Sequence, residues 1–367
     1  MTNPPLYDVR RIQDLKDMLE QSCKLFGDRN AFLLKVQDDQ YKGVTYRQFK
    51  AEVDALGTIF LKLGLKDQFI AVISENRYEW CLTYFSTVNG TGTIVPLDKE
   101  LPLPEIENLL ARSSASAVVF SGKFHNELKK LHASLPSLQY LINMDIEEET
   151  DGVLSFKQLL QEGKKLLDSG DTSFIDAPID AEAMRILLFT SGTTELAKGV
   201  MLSHKNLCSD IMDVCRVLYL DCNDSSLSIL PLHHTYGCTT DLLVILYNGC
   251  SVSFNEGLKH IAKNLKETKP TLLFLVPLIL ESMYKKIWDQ AKKKPGQKTK
   301  LKIAMAVSDF LLNVLKIDIR RKLFKQIHEN IGGRVRLIVS GAAGINPEVS
   351  KGFHSMGLRV IQGYGLT

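Results

Sequence analysis

The sequence predicts an α/β protein made of two similar α/β subdomains, each with a mostly parallel sheet covered by helices. Three observations carry that expectation. Short β-rich runs alternate with amphipathic helical patterns along the whole chain, as in βα units. The runs are apolar at nearly every position, which suits strands covered on both faces. A polar stretch from Ser169 to Ala183, with a glycine, a proline and several aspartates, divides the chain into halves of similar size, 1–182 and 183–367.

The N-terminal residues read as an amphipathic helix beginning near Asp8, with no apolar stretch of signal-peptide type behind their arginines. Ala31 to Val36 and Gly43 to Tyr46 flank a polar turn and predict a hairpin. Strands are expected at Phe69 to Ser74, Ala117 to Phe120, Ile186 to Phe189, Leu272 to Val276 and Val335 to Val339. Helices are expected at Tyr46 to Leu65, Glu105 to Ala115, Phe156 to Leu167, His204 to Leu220 and Leu278 to Lys292, where apolar residues recur every three or four positions. Ala291 to Lys300 holds five lysines around Pro295 and Gly296. It reads as a solvated loop, with weak attraction to an anionic membrane as the functional alternative.

Composition bounds the function. With 367 residues, 45% of them hydrophobic and 24% charged, the chain suits an ordinary globular protein of two domain-sized cores. Its 45 basic and 42 acidic residues leave an excess of +3, which does not imply nucleic acid as a partner. Seven cysteines without a CxxC pair fit reduced thiols and a cytoplasmic setting. Cys208, Cys215 and Cys222 recur every seven residues and are expected as buried thiols near one helix face. The strongest apolar run, Thr271 to Leu280, contains Pro277 and is about half the ~20 residues that a spanning helix needs.

The chemistry is concentrated in LLFTSGTTELAKGVMLSH, Leu187 to His204. Five of the six residues from Thr190 to Glu195 are Thr, Ser or Gly, and they follow directly on a strand. Such a loop can turn backbone N–H groups and hydroxyls toward polyphosphate oxygens, with Lys198 as a mobile charge. Lys198 precedes Gly199, so the order required by a P-loop is not met. No HExxH occurs and none of the eight histidines joins a cysteine-paired ligand set, so no protein-held zinc is expected.

That segment resembles the phosphate-binding signature of adenylate-forming enzymes, the superfamily of acyl-CoA synthetases, luciferases and peptide-synthetase adenylation domains. Two further segments match in order: LPLHHTYG, Leu230 to Gly237, and the stretch from VSGAAGINPEV to QGYGLT, Val339 to Thr367. VMLSH and SGAAGINPEV look most like long-chain fatty acyl-CoA synthetases. The resemblance covers essentially the whole chain and implies a layered αβαβα fold. It also implies a two-step reaction, in which ATP converts a carboxylate to an acyl-adenylate and the thiol of coenzyme A then displaces AMP.

Residue roles follow from the resemblance. Thr190, Ser191, Gly192, Thr193 and Thr194 would hold the β- and γ-phosphates, and Lys198 would assist as pyrophosphate leaves. Gly341, Ala342, Gln362 and Gly363 would line the nucleotide pocket, Tyr364 would stack on adenine, and Thr367 would lie at the α-phosphate. His234 would stand beside the substrate carboxylate, while His233 is read as structural. Mg2+ would arrive with ATP, held mostly by phosphate oxygens.

The sequence departs from the family at Glu195, where glycine is usual, and at Ala197, where proline is usual. The family motif also continues past Thr367 with a magnesium-binding glutamate, a ribose-binding aspartate, a hinge and a C-terminal domain carrying a catalytic lysine. The chain is therefore expected to be a fragment unable to complete turnover. One alternative is an amino-acid adenylation domain, although its aspartate-aromatic pair is replaced here by His234-Thr235, and Asp241 lies too far along. Another is a non-catalytic module that binds a nucleotide or acyl-adenylate.

Overall fold

The computed structural model describes residues 6–190 and 197–367. Its fourteen described strands form two seven-stranded sheets. In chain order they are β1 (Asn30–Gln37), β2 (Gln40–Thr45), β3 (Phe69–Ile73), β4 (Thr93–Pro96), β5 (Ala117–Phe120), β6 (Tyr140–Asn143) and β7 (Val153–Ser155). There follow β8 (Met184–Thr190), β9 (Lys198–Ser203), β10 (Ser225–Ser228), β11 (Ser251–Phe254), β12 (Leu272–Leu275), β13 (Leu337–Ser340) and β14 (Val360–Gln362). One sheet has the order β7-β6-β5-β3-β4-β8-β9 and the other β14-β13-β12-β10-β11-β1-β2. All described pairings between these strands are parallel except the edge pairs β1–β2 and β8–β9.

This is the expected α/β architecture of mostly parallel sheets. β3, β4, β5, β12 and β13 are almost wholly buried, as strands with helices on both faces must be. The helix Tyr46–Lys62 begins where expected because Thr45 and Gln48 form a reciprocal capping box. Its buried face joins the main core with Phe32, Trp80, Tyr84 and Phe274.

The sheets do not divide at 182/183. β1 and β2 belong with the late strands through Phe32 and Val252, and β8 joins the early strands through Ile94 and Ile186. Alternation of elements reveals that strands exist, whereas long-range pairing decides which sheet takes them.

Two local expectations are corrected. The first helix starts at Leu15, not near Asp8, with Asp14 as its cap accepting from the Asp17 N–H at 2.8 Å. Residues before it are drawn into tertiary bonds instead: the Tyr7 N–H reaches the Arg216 carbonyl at 2.8 Å, and the Arg10 guanidinium donates to Ser22 at 2.6 Å. The lysine-rich stretch is mostly helical, lying in the ends of the helices Pro277–Lys292 and Gln297–Leu315, with a turn at 293–296 between them. Lysine favours helix, and only Pro295 and Gly296, the latter at φ +75°, interrupt it. Cys208 and Cys215 are buried on the helix His204–Val217, whereas Cys222 lies beyond its end; all seven thiols are free.

Candidate nucleotide and acyl site

The site lies at the C-terminal ends of the parallel strands. β10 leads into Leu230 to Gly237, and this motif is held by groups remote in sequence. The Asn76 side-chain amide, beyond the end of β3 in the other sheet, donates to the Leu230 carbonyl at 2.7 Å and to Ser228 Oγ at 3.0 Å. Its Oδ1 accepts from the Leu232 N–H at 3.1 Å. One side chain thereby joins the two sheets at the second motif.

Beneath the motif, a π-helical segment, Gly237–Leu243, carries the fully buried Asp241. Its carboxyl accepts from Ser226 Oγ at 2.6 Å and from the Ile229 N–H at 3.3 Å. Burial pushes its pKa up to about 7 against these hydrogen bonds. Asp241 braces the strand end and faces protein on every side, so it is not placed to meet a substrate ammonium.

His233 and His234 differ in burial. His233 is largely buried, its ring 4.2 Å from that of His234 and its Nε2 3.6 Å from an oxygen of Asp98. Burial and the neighbouring His234 pull its pKa down to about 4. His234 is exposed.

The second and third motifs meet directly. Thr235 Oγ1 donates to Thr367 Oγ1 at 3.1 Å, and the Tyr236 hydroxyl donates to the Val339 carbonyl at 3.1 Å. Tyr236 also explains Gly341: a Cβ on that glycine would stand 2.6 Å from the tyrosine ring. Ala342 follows at φ +67°, a left-handed conformation uncommon outside glycine. The Gly363 N–H donates to the Ser340 carbonyl at 2.8 Å, tying the last strand to its neighbour, while Ser340 Oγ is buried with no partner among the described residues. Gln362 and Tyr364 are exposed, the tyrosine at 92%.

Thr190 and Lys198 are register partners at the end of the β8–β9 pair, and Lys198 is exposed. Ser191, Gly192, Thr193, Thr194 and Glu195 lie outside the described residues. The pair nevertheless reaches the second motif. Ile186, Leu188 and Leu202 line an apolar crevice with Leu232, Thr235 and Cys238. The crevice has room for about one water molecule.

Sequence reasoning missed Asn76 and Tyr236, and it weighed Asp241 only as a ligand. Their signal is three-dimensional: each is a polar side chain whose partners lie in another strand or the other sheet.

Ligands of open α/β sheets lie at the carboxyl ends of the strands, and here that end joins open backbone to an apolar crevice. The chain belongs to the family of AMP-binding enzymes, whose sequence pattern matches residues 19–367. It is similar to long-chain-fatty-acid–CoA ligase 1 of Cavia porcellus, 26% identical over 99% of this chain and 55% of that protein. It is also similar to long-chain-fatty-acid–CoA ligase 5 of Rattus norvegicus, 28% identical over 99% and 56%. This chain thus spans about half the length of these relatives. In fold it resembles an anthranilate CoA ligase solved with anthranoyl-AMP, at a TM-score of 0.72 and 20% identity over 99% of this chain and 60% of that one. A long-chain-fatty-acid-CoA ligase of Archaeoglobus fulgidus also has a TM-score of 0.72, with 17% identity over 100% and 66%.

Proposed function

We propose that this chain is the large, nucleotide-binding part of a ligase that activates a carboxylic acid of long-chain fatty type to its acyl-adenylate and then to acyl-CoA. The observation that carries the reading is the meeting of the second and third motifs at Thr235, Tyr236, Gly341 and Thr367, above an apolar crevice. The names of the relatives support the acid and the thiol.

The residues suit a nucleotide. Gly363 leaves backbone open to close approach, Gly341 makes room for the Tyr236 ring beneath, Ala342 turns the chain, and Tyr364 offers an unburied ring face for a base. Thr190 and Lys198 would meet the phosphates together with the hydroxyls and N–H groups of residues 191–194, and Thr367 would meet the α-phosphate. Mg2+ would supply charge neutralisation, held mostly by phosphate oxygens.

In this reading Asn76 and Asp241 hold the second motif still, so that His234 and Thr235 present a fixed surface to the acid's carboxyl group. Alignment of carboxylate and phosphorus is the main catalytic task. The acid's chain would enter between β8 and the second motif, and a long chain requires that crevice to open. The remaining steps would fall to the part of such a ligase that has no counterpart in this chain. Reduced thiols suit a cytoplasmic enzyme.

The test is calorimetric titration with a hexadecanoyl-sulfamoyl adenosine, a non-hydrolysable adenylate. The expected result is binding by the native chain and its loss on Tyr364→Ala. Equal binding by both proteins would remove Tyr364 from the adenine site, and absence of binding to either would overturn the reading for this chain.

A further inference from the structure

The helix Gln297–Leu315 turns an apolar stripe to solvent. Ile303, Val307, Phe310 and Val314 are 58%, 45%, 57% and 61% exposed. Their spacing of four, three and four residues places them on one face, extending about 16 Å along the axis. The opposite face anchors the helix: Ser308 is buried, and its Oγ donates to the Ser355 carbonyl at 2.8 Å. Ile317, just beyond the helix, is 50% exposed.

The charge around this stripe is unlike that of the rest of the chain. Residues 292–325 hold eleven lysines and arginines against two acids, whereas the whole chain has a net excess of only +3. All other residues taken together are therefore net acidic. Neither acid of the segment opposes an anion at the stripe. Asp318 is paired with Arg320 at 2.7 Å, and Asp309 accepts from Ser355 Oγ at 2.8 Å. Lys300 and Lys302, on the same helix, are exposed and flank the apolar face on its two sides.

We propose that the helix Gln297–Leu315 is a membrane-docking surface, which inserts Ile303, Val307, Phe310 and Val314 into the headgroup boundary of an anionic bilayer while the surrounding lysines meet the lipid phosphates. An apolar face alone fits many partners. The basic rim selects this one, because an apolar face bordered by lysines matches the layered chemistry of an anionic membrane, acyl chains below and negative charge above. No described helix is long and apolar enough to cross a membrane, so docking would be peripheral. The inference does not depend on the ligase reading, since vesicle binding needs no nucleotide.

The experiment is co-flotation of the chain with vesicles of phosphatidylcholine alone or with about one third phosphatidylserine. Binding is expected only to the anionic vesicles, and it should weaken as salt is raised from about 0.1 M to about 0.5 M. Lys300→Gln and Lys302→Gln should each weaken it about fivefold. Phe310→Asp combined with Val314→Asp should abolish it, while Val36→Asp, at an exposed apolar residue of β1, should leave it intact. Unchanged binding by the Phe310/Val314 variant would overturn insertion in favour of charge attraction alone. Lack of binding to anionic vesicles would overturn the proposal outright, and a dimer in sedimentation lost on Phe310→Asp would assign the stripe to a second copy of the chain.

Discussion

Two groups of strand ends differ in how their polar groups are used. Beyond β3 and β6, Arg77 bonds Glu79 and Asp145 at 2.7 Å each, and Asp145 also accepts the Gly122 N–H at 2.6 Å. Those charges satisfy one another and close the surface. Beyond β10, β13 and β14 the chain presents Thr235, Ala342, Gly363 and Tyr364, neutral groups and bare backbone. The strand ends thus differ: beyond β3 and β6 polar groups are satisfied within the protein, whereas beyond β10, β13 and β14 neutral groups and open backbone remain.

The acids of the two ends sharpen this contrast most. Asp145 has Arg77 as a counter-ion, whereas Asp241 is desolvated, with hydrogen bonds as its support. Because the folded pKa of Asp241 is raised from 3.8 to about 7, its contribution to stability is fully present below pH 4 and is lost as pH rises toward 7. Asp241→Asn should remove that dependence, leaving stability level between pH 4 and pH 8 as far as this site is concerned. Denaturant unfolding from pH 4 to pH 8 measures it; parallel profiles for variant and native chain would reject the assignment.

Gly341→Val attacks the open end directly. The added Cβ meets the Tyr236 ring, so the variant should lose about 1–3 kcal/mol in thermal unfolding and bind the acyl-adenylate analogue at least about tenfold more weakly. Arg77→Ala attacks the closed end. Its partly exposed ion pairs should cost about 1 kcal/mol, less at high salt, with no change in analogue affinity. The smallest effect on stability belongs to Tyr364→Ala, within about 0.5 kcal/mol because the ring is exposed; only ligand affinity should respond.

The open end was legible in the sequence as motifs and the closed end as ordinary strands. β3 and β5 were readable because β-branched runs report burial on two faces, and His204–Val217 because its period reports one buried face. The meeting of Thr235 with Thr367 was not foreseen, because a separation of 132 positions hides it from any local pattern. The braces, Asn76, Tyr236 and Asp241, were not readable, since a buried carboxyl or amide looks in sequence like any other polar residue. The helix start at Leu15 escaped for the same reason as the exchanged strands: partners far along the chain outvoted local pattern.

That exchange sets a timetable for synthesis. Phe32 of β1 must wait for Val252 of β11, which leaves the ribosome about 10 to 40 s later at ordinary elongation rates. Throughout that interval the first hairpin carries an unpaired edge, while β3 to β7 already have one another. The nascent chain therefore completes its first parallel strands early and closes its second sheet only after β11 emerges, with the earliest hairpin among the last pieces to find its neighbour.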